Sequence, residues 1–256
     1  MVTQTSLVDP AMQNKLLAAL PDDERERVIR DLTRVFLPLG EILYEPGARG
    51  RQVYFPTSAL VSLSYVMADG ASVEAAVIGN DGVAGIALFL ADASTPYRAV
   101  VRSAGWAYSL AGPQLKQELA LGGAMLQLLL NYTQALIAQI MQTAACNRHH
   151  SIDQQLCRWL LLRLDRMGAD ELSMTQEAIA EMVGVPPASV VEALGQLRTA
   201  GMLHDRDGHV TVVDRAGLEA RACECYGVVK QESERLFHRA ASSVKAAPAD
   251  LSLVAS

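Results

Sequence analysis

The sequence predicts an α+β chain built from an N-terminal β jelly roll, a long helix and a C-terminal winged helix-turn-helix. Three observations carry this. Between Gly40 and Leu110 the apolar period is two, punctuated by turns such as Pro46-Gly47 and Asp69-Gly70. From Gln114 to about Asn147 the period becomes helical, with an unusually wide apolar stripe. From Ser173 to Gly201 two short helices surround a tight turn, and a strand hairpin follows. The divisions are N-terminal helices over 1–36, a β domain over 37–113, a dimerisation helix over 114–147, the winged helix-turn-helix over 148–216 and a helical tail over 217–256.

A chain of 256 residues is long enough for about two domains. Its most apolar stretch, Leu119 to Met141, is interrupted by Gln127, Asn131, Gln134 and Gln139, so neither a membrane span nor a secretory signal is expected. The cysteines, Cys146, Cys157, Cys223 and Cys225, are few and unevenly spaced, which suits a reducing cytoplasm. The net charge of −6 argues against indiscriminate nucleic-acid binding but leaves room for a local patch.

Met1 to Pro10 reads as loose chain. Asn14 to Leu20 and Asp22 to Phe36 read as helices separated by Pro21, the second with three acids in its first turn. Strands follow at Glu41 to Tyr44, Val53 to Phe55, and Val61 to Met67. There Ser62 and Ser64 alternate with apolar residues, so one sheet face is expected to be buried. Ser72 to Ile78 returns, Gly79 to Leu90 is a glycine-punctuated loop, and Arg98 to Arg102 and Trp106 to Leu110 complete the set.

The long helix carries two seams, with Gly122-Gly123 as a bend near its start. Leu129, Tyr132, Leu136 and Ile140 form one, and Leu126, Leu130, Ile137 and Met141 the other. One must lie on the chain's own β domain, and the other is free for a partner helix. The first seam is assigned to the interface of a homodimer; the alternative is a helix buried wholly within a monomer. A further helix is expected over Ser151 to Met167, with Ile152, Leu156, Trp159, Leu160 and Leu164 on its core face, then a loop over Gly168 to Glu171.

In the helix-turn-helix, Thr175 caps a helix whose apolar face is Ile179, Met182 and Val183, and Gly184 ends it. Pro186 and Pro187 start the second helix, with Val190, Leu194 and Leu197 inward. The wing runs from Met202 to Val213 around Asp207-Gly208. The second helix of such a motif normally enters the DNA major groove. Double-stranded DNA is therefore the expected partner, with Gln176, Pro187, Ala188, Ser189, Glu192, Gln196, Arg198, Thr199, His204 and Arg206 as contacts, and Arg148, His149 and His150 nearby. From Arg148 to Arg215 there are seven arginines, no lysine and ten acids, a poor balance for phosphate attraction.

Met174-Thr175-Gln176-Glu177, Val183-Gly184-Val185 and Ala200-Gly201-Met202-Leu203, with Val210 to Leu218 as the wing exit, resemble the signature of the catabolite-activator/Fnr (Crp/Fnr) superfamily of bacterial transcription regulators. The order of barrel, long helix and winged helix agrees. The resemblance implies a homodimer, a cyclic-nucleotide-binding-like sensory barrel, a palindromic DNA site and RNA polymerase as a further partner. It places the ligand pocket at Gly85, Ile86, Ala87, Leu88, Tyr97 and Arg98.

Three departures shape the expectation. Members that bind cyclic nucleotides place a Glu after a Gly for the ribose and an Arg on a nearby strand for the phosphate. Here Ile86 follows Gly85, and Tyr97 takes the arginine position with Arg98 one residue away, on the opposite face of a strand. Cyclic AMP is therefore not expected. The family's iron–sulfur sensors carry an N-terminal cysteine cluster, and no cysteine here precedes Cys146, so no cluster is expected. Nor is a metal: Cys223 and Cys225 would point about 200° apart on one helix, and Cys146 with His149 or His150 reads as a solvated helix end. Last, Pro187, Ala188 and Glu192 stand where the family has its usual base readers. The function expected is a dimeric regulator with a barrel that reads no standard cyclic nucleotide. The alternative is an interaction protein of the same fold with weakened or lost DNA binding. No catalytic or nucleotide-loop pattern appears in a supporting context, so an enzyme is not expected.

Overall fold

A computed structural model of the chain describes residues 9–86, 94–168, 171–206 and 209–245. The expected loose start over 1–8, pocket positions Ala87 and Leu88, the turn at Asp207-Gly208 and the tail over 246–256 lie outside the described residues.

Asn14 fixes the N-terminus to the β domain. Its buried side chain accepts from the amides of Leu16 and Leu17, capping helix α1 (Lys15–Ala18), and donates to the carbonyls of Pro56 and Gly82 at 2.8 and 2.9 Å. Helix α2 (Asp22–Asp31) opens on three acids as expected, but it does not reach Phe36. Val35 and Phe36 belong to strand β1 (Thr33–Leu37), which pairs with the strand carrying Trp106. Helical spacing at Val28, Ile29 and Leu32 extends by chance into a β-branched segment, and strand pairing overrides it.

Strands β2 (Ile42–Tyr44), β3 (Gln52–Pro56), β4 (Leu60–Val66), β5 (Ser72–Ile78), β6 (Arg98–Ser103) and β7 (Gly105–Ala111) complete two antiparallel sheets, ordered β1-β7-β3 and β2-β6-β4-β5. Val53, Phe55 and Leu110 from the first sheet meet Val61, Leu63, Ala99 and Val101 from the second in one core. The expectation that only one face of β4 is buried fails. Ser62 and Ser64 are buried too, because the C-terminal half of the chain covers the outer face of the second sheet.

Gly122 and Gly123 divide the expected single helix in two, α3 (Gly112–Ala120) and α4 (Ala124–His149). Gly122 sits at φ +70°, where glycine is cheapest. The buried carboxylate of Glu24 then caps α4, accepting from the amides of Ala124 and Met125 at 2.7 and 2.9 Å. Helix α5 (Ile152–Met167) starts with a Ser151–Gln154 capping box and ends at Gly168 in the left-handed conformation. Strand β8 (Glu171–Ser173), which starts at the last residue of the expected loop over Gly168 to Glu171, joins the wing strands β9 (Leu203–Arg206) and β10 (His209–Val212) in the order β8-β10-β9. The helix-turn-helix comprises α6 (Gln176–Val183) and α7 (Pro187–Thr199), bent by 110°. The expected helical tail is broken at Ala222 and Cys223 into α8 (Arg215–Arg221) and α9 (Glu224–Lys245), and α9 returns to pack along α4. Among the described residues no single helix is long and apolar enough to cross a membrane.

The two seams of α4 exchange roles relative to the expectation. Leu129, Tyr132 and Leu136 are buried in the chain's own core, which also takes Leu236 and Phe237 of α9. Leu130, Ile137 and Met141, expected to face the barrel, are exposed, Ile137 by 52% and Met141 by 68%. Ile140 is exposed as well and borders that face. Spacing identifies two apolar stripes but not which one meets the chain's own sheets. Leu136→Ala should therefore cost about 2–5 kcal/mol of stability by opening a core cavity, whereas Ile137→Ala should change it by less than about 1 kcal/mol. Urea unfolding of the two variants checks the assignment.

Candidate nucleic-acid interface and sensory pocket

The sequence builds the recognition unit by local rules. Thr175 Oγ1 accepts from the Ala178 amide at 3.2 Å, starting α6, and Gly184 ends it at φ +77°. Pro187 opens α7, whose Val190, Ala193, Leu194 and Leu197 are buried against the rest of the winged helix. The exposed side follows from the helical period. Ala188, Glu192, Gly195 and Thr199 form its central row, Gln196 flanks one edge, and Val191 and Arg198 the other. Of the expected contacts on α7, Pro187, Ala188, Glu192, Gln196, Arg198 and Thr199 are exposed, while Ser189 is half-buried. Gln176 is half-buried at the start of α6, and His204 and Arg206 are exposed on the wing.

Val191 escaped the sequence reading. It is half exposed on the recognition helix, where an apolar side chain can meet a thymine methyl. Its spacing from the core residues could have revealed it, but an isolated valine in an apolar helix reads as core. Gly195 has open space around a hypothetical Cβ, so packing within the chain does not require glycine there. The central row is thus small and nearly uncharged, with Glu192 as its one ionic group.

The cation supply is narrower than the sequence count suggests. Arg158, Arg163 and Arg166 are buried, and Arg215 is paired with Asp165 and Glu219. Arg148, Arg198 and Arg206 are the arginines of the 148–215 region that stay exposed. His149 is also exposed, while His150 turns back toward Glu224, with its Nε2 3.2 Å from the carboxylate.

The three buried arginines do something else. Glu74 on β5 is buried at the outer face of the second sheet, where Arg163 of α5 and the Ser62 hydroxyl both donate to its carboxylate. The Arg163 guanidinium stacks 3.5 Å from the Trp159 ring centroid. Arg166 lies 3.2 Å from Asp81 and donates to Gln139 Oε1 at 3.2 Å. On the adjoining surface Glu181 of α6 meets Arg102 at 3.2 Å and accepts from Ser72 at 3.0 Å. The winged helix is therefore locked to β5 and β6. Sequence reading missed this set, because arginines on an amphipathic helix ordinarily belong to its wet side.

In the barrel, Tyr97 packs against the interior core together with Tyr44 and Tyr54, and burial pushes the Tyr44 phenol up from its ordinary value. Arg98 points the other way and pairs with Glu45 at 2.9 Å on the partly exposed outer surface. Gly85, at φ +105°, brings its backbone against the Tyr44 hydroxyl, with which a Cβ would clash. Ile86 beside it is buried. The described expected-pocket positions Gly85, Ile86 and Tyr97 contribute no cation, while Tyr44 and Tyr54 also line a cavity of about 520 Å³ bordered by Glu45, Arg49 and Arg51.

Two family models match the sequence, a cyclic nucleotide-binding domain over residues 34–120 and a Crp-like helix-turn-helix domain over residues 154–221. Together they span more than half of the chain. The chain belongs to the Crp/Fnr family of transcription regulators. Solved structures carry the same fold. FixK2 from Bradyrhizobium japonicum is 17% identical at a TM-score of 0.65, with 75% of this chain and 98% of that one covered. The c-di-GMP-responsive global regulator CLP from Xanthomonas campestris is 17% identical at a TM-score of 0.60, covering 75% and 99%. A CRP/FNR-family transcriptional regulator from Thermus thermophilus is 20% identical at a TM-score of 0.57, covering 74% and 98%. No curated protein matches this Crp/Fnr chain by sequence.

Proposed function

We propose that this chain is a cytoplasmic, homodimeric DNA-binding transcription regulator whose barrel answers an effector other than an ordinary cyclic nucleotide. One observation supports it most: Ala188, Glu192, Gln196, Arg198 and Thr199 on α7 and the wing residues His204 and Arg206 are exposed, while Val190, Ala193, Leu194 and Leu197 of the same helix are buried in the winged-helix core. A surface kept clear in this way, on a motif that normally reads the major groove, is a binding surface. The exposed seam of α4, Leu130, Ile137 and Met141, supports the homodimer, since a long helix with a free apolar stripe needs a second helix. Promoter regulation implies RNA polymerase as a further partner.

The pocket reading follows from charge. A cyclic phosphate needs a guanidinium facing the barrel interior. Arg98 is on the outer face, held by Glu45, and that exposed pair is worth at most about 1 kcal/mol. Millimolar cyclic AMP should leave the melting temperature unchanged, because a ligand of the native state must raise it. A rise abolished by Arg98→Ala would overturn this assignment of the pocket.

DNA binding should be shallow in its salt dependence. Two or three phosphate-facing cations per subunit give a slope of roughly −4 to −5 in a dimer, at about −0.9 per contact. Arg198→Ala should weaken all sequences about equally. Glu192→Gln should strengthen non-specific binding and blunt discrimination, since the carboxylate repels phosphates everywhere and suits only a cytosine amine. Ile137→Asp with Met141→Asp should sediment as a monomer and lose affinity for a palindromic site. Fluorescence anisotropy on genomic fragments measures these effects. Absence of binding to every fragment at about 50 mM salt, where phosphate attraction is strong, would leave the interaction-protein reading in its place.

A further inference from the structure

Four side chains with no part in DNA reading or in the barrel converge at the elbow between α4 and the winged helix. Cys146 and His150 are one turn apart at the end of α4. Cys223 stands just before α9 and Cys225 in its first turn. The expected 200° divergence of Cys223 and Cys225 requires both to be helical, and Cys223 lies outside the helix. The ligating atoms of all four residues lie within 4.8 Å of one another. Cys146 Sγ is 3.5 Å from Cys223 Sγ, and Cys225 Sγ is 3.4 Å from His150 Nδ1. A tetrahedral zinc ion, with bonds of about 2.3 Å to sulfur and about 2.0 Å to nitrogen, holds its ligands about 3.8 Å apart for two sulfurs and about 3.5 Å for sulfur and nitrogen.

The surroundings point the same way. His150 turns Nδ1 toward the thiols while its Nε2 lies 3.2 Å from the Glu224 carboxylate, the outer partner that orients a metal-binding imidazole. Gln142 Nε2 approaches Cys225 Sγ at 3.0 Å, a donor suited to a thiolate. All three sulfurs are buried. Arg158 is buried beside them and has no carboxylate partner among the described residues; it donates to Thr143 Oγ1. Burial pushes the Cys146 thiol up, and the Arg158 charge opposes that. Three thiolates and a neutral imidazole around a divalent ion leave one net negative charge, which that guanidinium offsets. A disulfide between Cys146 and Cys223 would leave Cys225, His150 and Glu224 arranged around nothing. A multi-iron cluster would spread the sulfurs wider, because they then bond different irons.

We propose that Cys146, His150, Cys223 and Cys225 form a closed four-ligand site for a zinc-class divalent cation, stapling the end of α4 to the start of α9. Binding exchanges the three thiol protons for the ion. With four protein ligands no position stays open for substrate, so the site is structural. It fixes the elbow at His150-Ser151, from which α5 leads into the winged helix.

Cobalt(II) titration of the full-length, chelator-treated protein in a non-thiol reductant tests this. The expected result is one equivalent per chain, with thiolate-to-cobalt charge transfer, visible bands of a tetrahedral ion, displacement by zinc and a raised melting temperature. His150→Cys should keep binding and shift the bands toward a four-thiolate spectrum. Cys146→Ser with Cys225→Ser should abolish them. Absence of tetrahedral bands in the reduced wild-type protein, or their survival in the double serine variant, would overturn the proposal. Neither outcome depends on whether the protein binds DNA.

Discussion

Glu74 and Arg163 bury opposite charges between the second sheet and α5. Much of the arrangement depends on that contact. A carboxylate at this depth is tolerable only because a guanidinium and the Ser62 hydroxyl meet it. The guanidinium in turn is held by the Trp159 face. Removing one partner of such a pair leaves an uncompensated charge and costs about 3–5 kcal/mol, whereas replacing both by apolar groups is often nearly neutral. The pair therefore specifies how the two halves meet more than it adds net stability.

That specification has a functional side. The second sheet faces the barrel interior on one side and carries the winged helix on the other. Glu74 reaches α5, Asp81 reaches Arg166, and Ser72 and Arg102 reach Glu181 of α6. A shift of β5 or β6 relative to α5 would have to break these contacts, so the barrel and the recognition helix behave as one body until they do. The Leu60 and Val77 side chains, buried with the winged-helix core instead of the barrel core, make the same point in apolar terms.

Much of the fold was legible because it rests on local rules. Thr175, Gly184 and Pro187 set the helix-turn-helix, Ser151 and Gly168 bound α5, and alternation found the strands. Local rules failed where tertiary contacts chose between equivalent readings. Two apolar stripes on α4 could not be ranked without knowing that α9 folds back and that Tyr132 lies against Gly82. Strand β1 was hidden by an accidental helical spacing, and β8 is only three residues long. The outward-facing positions of α7 were legible because they lie at fixed offsets from the turn. Arg158, Arg163 and Arg166 were not, because a buried arginine is indistinguishable in sequence from a solvated one. The Cys146–Cys225 grouping was missed because it depends on a helix break at Cys223.

The most direct measurement of the account is a double-mutant cycle on Glu74 and Arg163, with urea unfolding as the readout. If the buried pair joins the two halves, Glu74→Leu and Arg163→Met should each destabilise strongly, and the double variant should be less destabilised than the sum of the two, with a coupling above about 1 kcal/mol. Additive losses within about 0.5 kcal/mol would contradict it, and would mean that the winged helix rests on the barrel without being specified by it.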